Sequence, residues 1–217
     1  MVASNKRYSR KALYYGMPAR REIKLLELIG NVTDKKILDV GCASGYFGGK
    51  LERMGAKVTG IDSSGSAIRK AKRIMTNALV VDLNEKNVPL ESNSFDIIVA
   101  SEVIEHLINP LNTLNELNRI LKKNGMLLVT TPNLMYWGNR IKFLKGEFRY
   151  QKSGMFDEGH IHFFTYGGLK EDLEKLKFQI LEESHIYQGN GILNGVKKYF
   201  PGVFAYQIVV KCIKSKS

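Results

Sequence analysis

Residues 37–51 read ILDVGCASGYFGGKL: an apolar run, a turn rich in glycine, then a segment with helical spacing. Gly41 and Gly45 let the backbone turn sharply and come close to a ligand, and the helix that follows would aim its positive end at the same point. Twenty-one residues beyond Gly41, Asp62 closes the next apolar run, where a carboxylate can accept two ribose hydroxyls. A nicotinamide-binding loop would fit this stretch too, because Ala43-x-Gly45-x-x-Gly48 nearly satisfies its glycine spacing. Asp39 points elsewhere: a carboxylate just before the first glycine suits a cationic ligand better than a pyrophosphate. Asp82, in LVVDLNE, ends a third apolar run, where an adenine amino group could be bound.

Outward from this loop, β-branched apolar runs recur at 35–40, 56–61, 78–82, 95–100 and 125–131. Their continuous apolar character predicts strands buried on both faces, as in a parallel sheet covered by helices. Between them lie helical patterns. The clearest is NPLNTLNELNRILKKNG, with Asn109 as N-cap, Pro110 in the first turn, Leu111, Leu114, Leu117 and Leu121 on one face, Lys122 and Lys123 in the last turn and Gly125 as terminator. The alternation predicts an α/β fold with a Rossmann-like, doubly wound sheet and helices on both faces. Residues 1–30 read as an N-terminal helical cap and 31–132 as the ligand-binding core. Residues 133–165, aromatic and without clear period, read as a lid over the sheet's C-terminal edge, and 166–217 as a helix with the last strands.

At 217 residues the chain fits one domain. No apolar run approaches the roughly 18 residues of a membrane span, no signal-peptide pattern opens the chain, and Cys42 and Cys212 form no metal or disulfide pattern. A cytoplasmic protein is the expectation. The net charge of +12 sits at the ends: residues 1–24 carry seven Lys/Arg against one Glu, and residues 197–217 five Lys and no acid. Such ends either attract phosphate, nucleic acid or an anionic membrane surface, or are simply solvated.

As a set, LDVGCASG, GIDSS, VVDLNE, FDIIVASEVIEHL and LKKNGMLLVTTPN resemble the class I S-adenosylmethionine (SAM)-dependent methyltransferases, over roughly residues 35–135, with Ala43 in place of the usual central glycine. The later TPNLMYWGNRIKFLKG and GHIHFFTYGGLKEDLEKLKF resemble the type 11/23 branch, which includes quinone-biosynthesis O-methyltransferases and glycan- or lipid-modifying relatives. The resemblance implies a seven-stranded sheet, mostly parallel with an antiparallel last strand. It implies SAM as cofactor, with Gly41 and Gly45 bordering the methionine portion, Asp62 at the ribose, Asp82 at the adenine and Ser101 or Glu102 at the rim near the methyl group; Asp39, Ala43, Ser63 and Leu83 complete the expected cofactor site. It also implies a small-molecule, glycan or lipid-linked acceptor, with oxygen the target atom. Tyr14 or Tyr15 of the cap would touch the cofactor.

SEVIEHL (101–107) brings Glu102, Glu105 and His106 together, and on a helix these three would share one face. GHIHFFT adds His160 and His162, and the family's H-x-x-F-F-T spacing favours His160. An E-x-x-E-H pattern with a distant His also resembles the small-RNA 2′-O-methyltransferases, in which Glu102, Glu105, His106 and His160 would hold a divalent metal. Three readings stay open: a metal centre that acidifies the accepting hydroxyl, a metal-free site with Glu105, His106 or His160 as base, and a structural role. Tyr136, Trp137, Phe143, Phe148 and Tyr150 read as the packed underside of the lid, with base stacking the rival. An RNA acceptor and a non-catalytic SAM-binding partner protein are the alternatives to small-molecule transfer.

Overall fold

A computed structural model describes residues 19–85, 87–188 and 197–215. Tyr14 and Tyr15 lie outside the described residues. Helix α1 (Ala19–Ile29) precedes β1 (Lys36–Val40), α2 (Tyr46–Arg53), β2 (Lys57–Asp62), α3 (Gly65–Ala71), β3 (Asn77–Val80) and β4 (Phe95–Ser101). A single 3₁₀ turn (Ile104–His106) leads to α4 (Pro110–Ile120), β5 (Leu121–Pro132) and α5 (Trp137–Leu144). Then come α6 (Tyr166–Lys175), β6 (Phe178–Glu183), β7 (Ile186–Tyr187), α7 (Pro201–Phe204) and β8 (Ala205–Lys214).

The sheet order is β3-β2-β1-β4-β5-β8-β6, with β7 also paired to β8. Strands β1 to β5 pair in parallel, and β8 runs antiparallel to β5, β6 and β7. Since β6 and β7 follow one another along the same edge of β8, eight strands fill the seven positions expected. The order reverses direction between β1 and β4, which opens a crevice at their C-terminal ends, where open α/β sheets bind ligands.

Alternation along each strand divides the core in two. Ile37, Val58, Ile97, Val99, Leu128 and Val209 face Leu25, Leu28, Phe47, Leu51 and Ile68 on one side. Leu38, Val40, Ile61, Ile98, Leu127, Val129 and Ile208 face Leu114, Leu117, Leu169 and Leu173 on the other. Truncating one such fully buried leucine costs about 2–5 kcal/mol, whereas an exposed ion pair such as Lys57–Asp34 contributes about 0–1 kcal/mol. Apolar burial on both faces therefore fixes the architecture.

One helix ends earlier than its sequence suggests. Asn109 caps α4 as expected, its side chain accepting from Asn112 N, but the helix stops at Ile120. Leu121 already pairs with Phe95, and Asn124 takes a left-handed φ of 60° inside β5. Lys122 and Lys123 are thus strand residues, and Lys122 Nζ binds Asp96 Oδ1 at 2.8 Å.

Candidate active site

The loop after β1 meets the crevice in a left-handed backbone, with φ of 67° at Gly41, 50° at Ala43 and 80° at Gly45. A Cβ on Gly45 would lie 2.9 Å from the Ala71 backbone, so α2 can start against α3 only with glycine there. Ala43 adopts the same backbone at a cost of about 1–2 kcal/mol, offset in part by the bond from its amide to Asp62 Oδ2 (3.0 Å). Asp62 Oδ1 accepts from Ser64 N at 2.8 Å. Each oxygen keeps a further lone pair for a ligand hydroxyl, and burial raises the carboxyl above its ordinary range. Ser63 is exposed at the start of α3.

Asp39 lies on the α2 side of β1 and is 4% exposed, so it does not present its carboxylate on an open ligand surface. Its Oδ2 is buried with no hydrogen-bond partner, and burial pushes the carboxyl up to about 7, against the opposing pull of the Gly48 amide. Asp82 is exposed and held by an Asx turn, accepting from Asn84 N and Nδ2 on Oδ1, while Asn84 Oδ1 accepts from Ile108 N. Leu83 is buried, and its carbonyl accepts from Thr113 Oγ1. Asp62, Ser63, Asp82 and Leu83 therefore lie at or just past the C-terminal ends of β2 and β3, on one side of the crevice. With a left-handed loop, a helix N-terminus and an orphaned carboxylate oxygen beneath it, this wall fits SAM.

The opposite wall follows β4, and here the sequence expectation needs correction. Glu102 takes φ 55°, outside any helix, so it does not share a face with Glu105 and His106. Its Oε2 accepts from Gln207 Nε2 (2.9 Å) and lies 3.7 Å from the Arg21 guanidinium. Its Oε1 accepts from Thr130 Oγ1 at 3.0 Å. Thr130 spends its proton on Glu102, so the 2.9 Å contact with Ser101 has Ser101 Oγ as donor. Glu102 is thus removed from the expected ligand set.

The 3₁₀ turn carries Glu105 inward and His106 beside it. Among the described residues, Glu105, His106 and His160 place one ligand atom each within 4.8 Å of the others. His106 Nδ1 sits 2.9 Å from the Gly159 carbonyl and His160 Nδ1 2.8 Å from the Met155 carbonyl. A carbonyl can only accept, so each Nδ1 carries the proton and each basic nitrogen is Nε2. The rings meet edge to face at 4.6 Å. Glu105 is 1% exposed, with Oε2 accepting from Thr131 Oγ1 and Oε1 left without a partner. Burial, and next the charge of Glu102, hold its carboxyl well above the usual range. Its backbone carbonyl accepts the amides of both Ile161 and His162, which ties residues 161–162 to the turn. His162 points away: its Nε2 lies 3.1 Å from the Ile108 carbonyl, beside a separate cleft of about 360 Å³ between α4 and α6.

Two imidazoles pre-oriented by carbonyls, with the unpaired Glu105 Oε1 beside them, form a donor set that fits a divalent cation. Arg21, Thr130, Thr131 and Gln207 escape a motif reading, because each lies far from SEVIEHL in sequence. Only the threonine pair at the end of β5 carried a visible signal, polar residues closing an otherwise apolar run.

Sheet order, crevice and loop define a class I methyltransferase fold. A family model described as a methyltransferase domain matches residues 14–183, and the chain belongs to that family. A ubiquinone biosynthesis O-methyltransferase of Histophilus somni is 33% identical over 111 residues, 47% of either chain, so the chain spans about half the length of the curated relatives it matches. Solved SAM-dependent methyltransferases share the fold. One from Methanosarcina mazei has a TM-score of 0.67 at 20% identity, covering 89% of this chain and 98% of its own. One from Aquifex aeolicus has a TM-score of 0.65 at 20% identity, covering 95% and 98%.

Proposed function

We propose that the protein binds SAM in the β1–β4 crevice and methylates an oxygen of a small-molecule, glycan or lipid-linked acceptor held against Glu105, His106 and His160. The observation that carries this reading is the cluster of Glu105, His106 and His160, whose ligand atoms lie within 4.8 Å of one another, with both histidine Nδ1 protons fixed on carbonyls. Gly41, Ala43, Gly45, Asp62, Ser63, Asp82, Leu83 and Ser101 would hold the cofactor, with Asp39 buried beneath the loop rather than in contact with it; the cofactor would supply a methyl group activated on a sulfonium. His106 or His160 would take the proton of the accepting hydroxyl, whose oxygen would receive the methyl group given up by the sulfonium. Alignment by the walls supplies much of the rate. A divalent ion, if held by Glu105, His106 and His160, would acidify and orient the accepting hydroxyl. The O-methyltransferase relative favours oxygen over nitrogen as target.

Pools of hydroxylated acceptors screened for conversion of SAM to S-adenosylhomocysteine give the direct test. Asp62→Ala should weaken SAM binding by calorimetry by about tenfold or more; unchanged affinity would overturn the cofactor assignment. His106→Ala and His160→Ala should each cut turnover by about 10²–10⁴-fold while SAM affinity holds. Dialysis against EDTA followed by metal analysis separates the two chemistries. Loss of turnover restored by a divalent ion supports the metal centre, and unchanged turnover without bound metal leaves the histidines acting as bases.

A further inference from the structure

Helix α5 is turned inside out relative to an ordinary surface helix. Trp137, Ile141 and Leu144, spaced four and three residues apart, form an apolar stripe that faces solvent at 44%, 43% and 88% exposure. Inward, Asn139 is buried and donates to the Leu134 carbonyl, and Phe143 packs on Phe156 with ring centroids 5.8 Å apart. Beyond the helix, Phe148 and Tyr150 are 48% and 55% exposed and continue the apolar surface. Arg140, Lys142, Lys145, Arg149 and Lys152 accompany these side chains against one acid, Glu147, giving residues 137–152 a net charge of +4. Asn133 anchors the root of this segment, its Nδ2 donating to the Ala205 carbonyl at 2.9 Å, so the exposed stripe stands on a fixed base.

We propose that residues 137–152 dock on the anionic surface of a lipid bilayer. Trp137, Ile141, Leu144 and Phe148 enter the head-group boundary, and Lys142, Lys145 and Arg149 meet lipid phosphates. A basic helix with bulky apolar side chains on one face is suited to lie in that boundary, and tryptophan and tyrosine rings favour the head-group level. Charge complementarity selects this occupant. The chain carries +12, so a second copy would set basic face on basic face, and residues 1–18, with Lys6, Arg7, Arg10 and Lys11, carry the same sign. Ile141 and Leu144 offer no ring for stacking, which disfavours a single-stranded nucleic acid. No helix among the described residues is long and apolar enough to cross a membrane, so the contact is peripheral. The inference rests on exposure and charge and is independent of the transfer reaction.

Trp137 is the only tryptophan of the chain, so it reports on its own face. The full chain is mixed at low salt with vesicles of phosphatidylcholine alone, or with about one third phosphatidylglycerol, and followed by Trp emission and co-sedimentation. A blue shift and co-sedimentation with the anionic vesicles only, weakened by added salt, is the expected result. Ile141→Asp with Leu144→Asp, or Lys142→Glu with Lys145→Glu, should lower binding by about tenfold or more. An unchanged unfolding midpoint verifies that these surface variants still fold. Undiminished binding by both double variants, no response to anionic vesicles, or a shift produced by polyuridylate but not by vesicles would each overturn the proposal. So would emission already typical of a buried indole without vesicles.

Discussion

Asp39 shows how a single buried carboxyl couples the loop after β1 to pH. Its carboxyl is pushed up to about 7 in the folded chain, from the ordinary aspartate value of 3.8, mainly through burial. A folded pKa above the unfolded one stabilises the fold fully below the unfolded value, and that contribution is lost as pH rises through the folded value. Without ligand, stability should therefore decline from about pH 4 to about pH 7 on account of this residue. Asp39→Asn, which keeps an acceptor but cannot ionise, should flatten that slope in urea titrations over this range. A slope identical to that of the parent chain would show that Asp39 stays charged. Glu105 acts with the same sign. Glu183 acts oppositely: the Lys170 ammonium and the Tyr166 hydroxyl oppose its desolvation and hold its carboxyl below the usual range, so its contribution is lost in acid. At this scale sequence reading was least informative about Glu102. A left-handed glutamate has no sequence signature, and the partners that draw it aside, Gln207 and Arg21, are 105 and 81 residues away.

Among the elements, β1, β2, β4 and the middle of β5 were readable because burial on both faces demands unbroken apolar runs. The α4–β5 junction was not, since LKKNG has a good helix ending by composition and is pulled into the sheet by pairing of Leu121 with Phe95. What fastens α4 to the segment before β4 is likewise tertiary. Arg119 donates to Glu116, to the carbonyls of Val88 and Leu90 and to Ser92 Oγ, and Glu116 in turn accepts from Val88 N. The pair is partly exposed, which discounts its worth. Arg119→Ala should still cost about 1–3 kcal/mol, with faster amide exchange concentrated in residues 88–94. Exchange that speeds up evenly across the chain would count against this local tie. The meeting of His106 and His160 belongs at the same scale: the H-x-x-F-F-T spacing favoured His160, and the folded chain sets its ring 4.6 Å from that of His106 while His162 turns to the Ile108 carbonyl.

In the whole molecule, two apolar layers hold a sheet whose C-terminal edge gathers the crevice and the histidine pair. A ligand bound only by the folded crevice must stabilise the whole. SAM at about a hundred times its dissociation constant should add about 2.7 kcal/mol, which for a domain of this size raises the unfolding midpoint by about 5–10 °C. At the same SAM concentration, Asp62→Ala should remove about half of that rise or more, and a full rise in the variant would locate binding elsewhere. The position of β8 carries a different consequence. It lies between β5 and β6, in the interior of the sheet, yet it is drawn from residues 205–214. During synthesis the ribosome releases every other strand first, and β5 and β6 then wait with open hydrogen-bonding edges. A nascent chain of this protein therefore passes through a stage in which two sticky edges are exposed, and the arrival of β8 closes both in a single step.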